Sequence, residues 1–140
     1  MSYLLDTNCI SEPTREQPEP RVLSWLDGVP ESQLYLSVLT LGEIRKGASA
    51  LPESRRRSHL ELWLERQVRV RFSGRILPIS EDIAERWGWL AAEAKTRGRS
   101  LPVIDGLLAA TALHHNLVLV SRNVTDFLTT RVPILNPWLE

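Results

Sequence analysis

Apolar residues in this chain follow two rhythms. The first is a set of short unbroken runs: Tyr3-Leu4-Leu5, Leu34-Tyr35-Leu36-Ser37-Val38-Leu39, Arg75-Ile76-Leu77-Pro78-Ile79, Leu117-Val118-Leu119-Val120 and Val132-Pro133-Ile134-Leu135. Each is too short for a helix, is bounded by turn-forming residues, and reads as a buried strand. Pro78 and Pro133 withhold an N–H from the ladder, which places the third and fifth runs at sheet edges.

The second rhythm recurs at i, i+3 and i+4 and predicts amphipathic helices between the strands. Val22, Trp25 and Leu26 mark a short helix from Arg21 to Leu26, after a loop carrying Pro13, Pro18 and Pro20. Thr40 is expected to end the second strand and cap a helix running to about Ala50, and a longer helix from about Glu53 to Val70 turns Leu60, Trp63, Leu64 and Gln67 inward. Ser80 starts a helix containing Ile83, Ala84, Trp87 and Leu90 that stops at Gly98. Another opens near Pro102, carries Ile104, Leu107, Leu108, Ala112 and Leu113, and ends at Asn116. Strands alternating with such helices predict a three-layer α/β/α sandwich around a mainly parallel, roughly five-stranded sheet.

Composition narrows the picture without changing it. At 140 residues the chain is read as a single domain, 1–140. With 17 basic and 17 acidic residues no global field points to nucleic acid or a membrane, although Arg45 to Arg75 is locally basic. A lone Cys9 excludes an intrachain disulfide. An early acid and no long apolar run argue against a signal peptide or spanning helix, so a soluble, cytoplasmic protein is expected.

The candidate chemistry lies in four acids, Asp6, Glu43, Asp105 and Asp126, each placed where an apolar run gives way to a turn or a helix start. In a parallel sheet all strands end at one edge. Asp6 leaves the first strand there, Glu43 lies in the first turn of the helix after the second, Asp105 lies near the amino end of the helix feeding the Leu117 strand, and Asn123 and Asp126 follow that strand. Such hard oxygen donors suit Mg²⁺ or Mn²⁺ rather than zinc. Each acid also has a plainer reading: Thr40 and Glu43 fit a capping box, Asp105 complements a helix dipole, and Asp6 could begin an Asx-turn. Independent capping carboxylates need not share one edge, and that convergence favours a cation site.

Leu5-Asp6-Thr7-Asn8, Gly42-Glu43-Ile44-Arg45-Lys46-Gly47, Ile104-Asp105-Gly106 through Ala109-Ala110-Thr111-Ala112, and Val120-Ser121-Arg122-Asn123 through Asp126-Phe127 together resemble the PIN-domain toxins. Ile10-Ser11-Glu12-Pro13, Gly74-Arg75-Ile76-Leu77-Pro78 and Asn136-Pro137-Trp138 narrow the resemblance to VapC toxins of the FitB-like branch, over essentially the whole length. The resemblance implies a metal-dependent endoribonuclease that uses Mg²⁺, with Mn²⁺ able to substitute. It further implies the toxin of a type II toxin–antitoxin pair, a homodimer held by a cognate VapB/FitA-like antitoxin that alone contacts operator DNA. Asp6, Glu43 and Asp105 fall on the family's principal acidic positions. The fourth acid of many relatives is Asn123 here, leaving Asp126 as the charged residue of that loop.

On this reading Asp6, Glu43 and Asp105 hold the metal, Asp126 lies outside them, Thr7, Asn8 and Asn123 support them, and Arg45, Lys46 and Arg122 meet RNA phosphates. The run Arg55-Arg56-Arg57 reads first as a solvated helix face. Trp25, Trp63 and Trp87 read as packing residues, His114-His115 as a partly charged pair at a helix carboxyl end, and Cys9 as a small packed hydrophobe. Two other readings were open: an aspartyl-phosphate enzyme, disfavoured because Asn8 stands where a second aspartate is needed, and a catalytically weak binding module acting through an antitoxin and operator-DNA complex.

Overall fold

The computed structural model describes residues 1–139. Its sheet is parallel throughout and ordered β3-β2-β1-β4-β5, with β1 Tyr3–Leu5, β2 Leu34–Ser37, β3 Ile76–Leu77, β4 Val118–Val120 and β5 Ile134–Leu135. The two proline-bearing runs are the edge strands, as a missing N–H requires. Leu4 pairs in register with Leu119 and Tyr35 on one face and Leu5 with Val120 on the other, so the centre of the sheet is apolar on both faces.

Side-chain alternation along the strands divides the core in two. Leu5, Leu34, Leu36 and Val120 face a cluster closed by α1 (Thr7–Ser11), α2 (Pro20–Gly28), α3 (Val38–Ser49) and the helical stretch that ends at Phe72. Leu4 and Leu119 face the opposite cluster, closed by α6 (Glu81–Thr96), α7 (Val103–His114) and the 3₁₀ turn Val124–Thr130. The expected α/β/α sandwich is therefore present. Each fully buried Leu or Phe contributes roughly 1.5–3 kcal/mol by leaving water.

Three local expectations are corrected. The second strand stops at Ser37, whose hydroxyl accepts from Leu39 N at 3.0 Å and caps α3, so Val38 and Leu39 are helical and Thr40 is not the cap. The helix expected from Glu53 to Val70 is α4 (Arg55–Trp63), a π-helical turn Leu64–Val68, and α5 (Arg69–Arg71). The wider turn rotates the buried stripe onto Leu64, Val68 and Phe72 and leaves Gln67 exposed. The segment after Asp6, read as a turn and a loop, is the helix α1 followed by a 3₁₀ turn Glu12–Thr14.

This strand order fixes the functional edge. From β1 the chain moves outward to β2 and β3, then returns to place β4 and β5 on the other side of β1. The direction reverses between β1 and β4, and in open parallel sheets the crevice beyond the carboxyl ends at such a point is where ligands bind.

Candidate metal centre

Asp6 occupies that reversal point. Its backbone N–H donates to Val120 O across the β1–β4 pair at 2.9 Å, and its carboxylate caps α1 by accepting from Thr7 N at 2.8 Å. The other oxygen accepts from Ser121 Oγ at 2.7 Å. Asp6 is only 6% exposed, and its proton affinity is raised: burial is the largest cause, opposed by the Ser121 and Thr7 hydrogen bonds and reinforced by the charges of Glu43 and Asp126.

Ser121 was not singled out from sequence, yet it organises this edge. Fully buried one residue beyond β4, it receives Asn123 N at 3.0 Å and Asn8 Nδ2 at 3.4 Å while donating to Asp6. The signal available in the sequence was its position, directly after a buried strand at the edge that Asp6 shares. Asn8 adds a second tie between the two loops by accepting from Arg122 N at 3.4 Å.

Glu43 is engaged from the neighbouring strand's side. Thr7 Oγ1 donates to Glu43 Oε1 at 2.6 Å, joining the loop after β1 to α3. The capping-box explanation for Glu43 fails, because the helix cap is Ser37 and the Thr40 hydroxyl is buried without a hydrogen-bond partner. Glu43 also borders a cavity of about 510 Å³ between α3 and α7, lined by Val38, Leu39, Lys46 and Ile104.

Asp105 sits in the first turn of α7 with its acidity reduced to a pKa of about 6. Burial is the main cause, followed by the charges of Asp6, Asp126 and Glu43. The charges of Glu43 and Asp126 therefore reach both Asp6 and Asp105. Asp126 itself is exposed on the 3₁₀ turn, where it borders a smaller hollow with Arg99 and Ser100.

The donor set fits a hard divalent cation: clustered carboxylates flanked by hydroxyls and an amide. Asp6 and Asp105 both gain proton affinity from their neighbours' charges, repulsion that a bound cation would relieve. Among the described residues no group of three or more His, Cys, Asp or Glu side chains stands positioned to hold a metal ion by itself. A Mg²⁺ ion needs only one or two carboxylates, because waters and substrate phosphate complete its shell.

The remaining expected residues divide by their surroundings. Lys46 is exposed on the cavity rim, and Arg122 is exposed with its guanidinium 5.7 Å from the Trp138 ring. Arg45 is engaged by Glu65 and lies 3.8 Å from Glu61, so its charge is largely balanced. In the basic run, Arg57 pairs with Glu61 at 3.0 Å and Arg56 donates to Thr14 O at 2.9 Å. Trp25, Trp63 and Trp87 pack against the two cores, whereas Trp89 is exposed. His115 is held below its ordinary value, first by burial and then by His114, so it charges less readily than the helix-end argument implied. Burial, helped by Asp6 and Glu12, pushes the Cys9 thiol up to about 12, which keeps it an inert packed group.

Comparison with known proteins agrees with this geometry. The PIN domain profile matches residues 3–130. Toxin FitB of Neisseria gonorrhoeae is 40% identical over 96% of this chain and 97% of its own length, and VapC ribonuclease Y4jK of Sinorhizobium fredii is 38% identical over 96% of each. The crystal structure of FitAcB from Neisseria gonorrhoeae superposes with a TM-score of 0.92 at 40% identity, covering 97% of this chain and 98% of that one. A FitAB structure bound to an IR36 DNA fragment superposes at 0.91, with 38% identity over 97% of this chain and 95% of that one. Sequence profile, near-full-length identity and backbone coincide, and the chain belongs to the PIN-domain family, on the branch that holds toxin FitB and the VapC ribonucleases.

Proposed function

We propose that this protein is a divalent-metal-dependent endoribonuclease, the toxin of a type II toxin–antitoxin pair. The observation that carries the reading is the placement of Asp6 at the β1–β4 reversal point, joined through Thr7 to Glu43, with Asp105 held at raised proton affinity by burial and by the charges of Asp6, Asp126 and Glu43. Near-full-length likeness to FitB and to named VapC ribonucleases supports it. VapC ribonucleases of the PIN fold generally depend on a divalent metal, and we assign Mg²⁺, with Mn²⁺ able to substitute.

Asp6 and Asp105 are assigned as direct ligands, Glu43 as a ligand or a water-positioning carboxylate, and Asp126 as an outer charge. When bound, the cation supplies charge relief on the phosphate and activation of water. The chain's own residues do the rest. Thr7 and Ser121 fix Glu43 and Asp6, Asn8 ties the loop after β1 to the loop after β4, Asn123 N donates to Ser121 within the second loop, and Lys46 and Arg122 would meet the phosphate, with Arg45 less available. In-line attack by water leaves a 5′-phosphate and a 3′-hydroxyl; attack by the RNA 2′-hydroxyl would leave a cyclic phosphate.

Partners follow from the relatives. FitAB and VapBC structures hold toxin with antitoxin, several of them on DNA, so a FitA/VapB-like antitoxin is the assigned inhibitor and operator DNA is reached through it. A homodimer in the cytoplasm is the assigned state. Among the described residues no helix is long and apolar enough to cross a membrane.

The test is cleavage of structured RNA with Mg²⁺ or Mn²⁺ by wild type, Asp6→Ala and Asp105→Asn. Loss of about 10²-fold or more in either variant is expected, since one misplaced group in an oriented site has that effect. Equal activity in all three proteins sinks the assignment.

A further inference from the structure

Two locally unfavourable choices meet at one contact beside Asp105. Gly106 stands in the first turns of α7, where a glycine costs about 1 kcal/mol relative to alanine and where no turn or positive φ calls for one. Opposite it on α6, Trp87 is partly buried and its indole N–H has no hydrogen-bond partner, a penalty that leucine or phenylalanine would not carry. Local rules broken together without a local gain point to a role at a site.

The contact itself is tight. A Cβ on residue 106 would lie 2.7 Å from Trp87 Cδ1, 2.9 Å from Trp87 Nε1 and 3.1 Å from Leu101 Cδ2. The first two distances are shorter than real contacts permit, and the obstructing atoms belong to a rigid ring rather than the tip of a flexible chain. The indole edge therefore lies directly on the bare backbone of α7. Leu101, next to Pro102 at the helix start, closes the same contact from the loop side.

A spacer at this point governs one functional quantity. α6 and α7 pack along their lengths on the outer face of the sheet, and only α7 carries an acid of the metal centre, one residue before the contact. Asp6 is fixed independently by the β1–β4 ladder and by Ser121. α7 is seated on β4 and on the Val124–Thr130 turn as well as on α6, and the α6 contact at Gly106 is the one that adjoins Asp105. We infer that Trp87 and Gly106 are positioning residues that hold Asp105 at the distance from Asp6 needed to share a cation. This inference rests on the metal-centre reading above and adds to it a device outside the acidic cluster.

The experiment measures Mn²⁺ dissociation by water-proton relaxation, alongside thermal unfolding, for wild type, Gly106→Ala, Trp87→Leu, the double variant, and Asp105→Asn as reference. Gly106→Ala should raise the Mn²⁺ dissociation constant about 10- to 100-fold, the range seen when a group that orients a ligand is lost. Adding Trp87→Leu should bring it back toward wild type by vacating the space a methyl needs. A Gly106→Ala protein that melts earlier but binds Mn²⁺ as wild type does would reduce the contact to packing and overturn the inference, as would a double variant no better than Gly106→Ala. If Gly106→Ala does not fold, Trp87→Leu alone carries the test: a several-fold weaker Mn²⁺ site supports the spacer and an unchanged one overturns it. Wild type that binds no Mn²⁺ overturns the metal-centre reading itself, and that outcome is read before any variant is compared.

Discussion

Ser121 gives Asp6 a fixed partner inside the fold, and its removal has two separable consequences. Ser121→Ala leaves a buried carboxylate oxygen without its 2.7 Å donor, which costs about 1–3 kcal/mol of stability in urea unfolding and weakens Mn²⁺ binding about tenfold. Ser121→Thr keeps the hydroxyl and should preserve the Mn²⁺ affinity; if it fails as badly as alanine, the hydroxyl is not what matters. Asp105 yields a pH dependence whose sign is fixed. Its folded pKa of about 6 stands above the ordinary 3.8, so the native state holds a proton that the unfolded chain has released. The stability tied to that proton is fully present below about 3.8 and is lost as pH rises through about 6. In EDTA, the stability of wild type relative to Asp105→Asn should therefore fall from pH 4 to pH 7. Saturating Mg²⁺ should reverse that slope, because a cation requires the ionised carboxylate. A wild type and variant that stay parallel across this range in EDTA would contradict the shift. At this scale the places of the four acids in the fold were legible because each stands where a recognisable run gives way to a turn or a helix start. Ser121 was not, because nothing in linear spacing says which way a hydroxyl turns.

Helix α3 shows where element-level reading held and where it slipped. Its existence followed from the pattern, but Val38 and Leu39 look like strand residues and Thr40 like a cap. The chain instead leaves the sheet at Ser37, where a buried hydroxyl can reach Leu39 N. Ser37→Ala should cost about 1 kcal/mol, the usual value of a lost amino-terminal cap. Thr40→Val should be neutral or stabilising, because the Thr40 hydroxyl is buried without a partner. Denaturant midpoints of the two variants check the pair, and the opposite ranking would return the cap to Thr40. That one-turn difference matters for the site, since it frees Glu43 from a capping role and leaves it to receive Thr7. The long helix slipped for a related reason. Periodicity of 3.6 extrapolated through Leu64 assigns Gln67 inward, and only tertiary packing of Val68 and Phe72 selects the π turn that rotates it out. The strands, by contrast, were legible in number and order, because both faces of the sheet are covered and each apolar run marks one, but their ends were not: the second overran into α3, and the third and fifth are only Ile76–Leu77 and Ile134–Leu135.

The whole molecule carries as many acidic as basic residues, 17 of each, so attraction for RNA must be local rather than global. Most arginines of the basic stretch are already committed: Arg45 and Arg69 to Glu65, Arg57 to Glu61, and Arg71 and Arg75 to Glu31. The acidic centre repels phosphate until a cation fills it, so RNA affinity and metal occupancy are coupled. Lys46 and Arg122 remain exposed, one about a turn past Glu43 on α3 and one just beyond β4. Two phosphate contacts on a single strand give a slope of log affinity against log salt of roughly −1.4, since each neutralised phosphate contributes about 0.7. We expect that slope for short RNA bound to Asp105→Asn in saturating Mg²⁺, where cleavage is suppressed, and a value nearer −0.7 after Lys46→Ala or Arg122→Ala. Arg45→Ala should change it less, because Glu61 and Glu65 already balance that charge. Arg55→Ala, at the amino end of α4, should leave it unchanged. Fluorescence anisotropy across a salt series reads all four variants. A slope that flattens with Arg55→Ala but not with Lys46→Ala would move the RNA path off the acidic edge and onto the α4 face, separating substrate binding from the proposed metal centre.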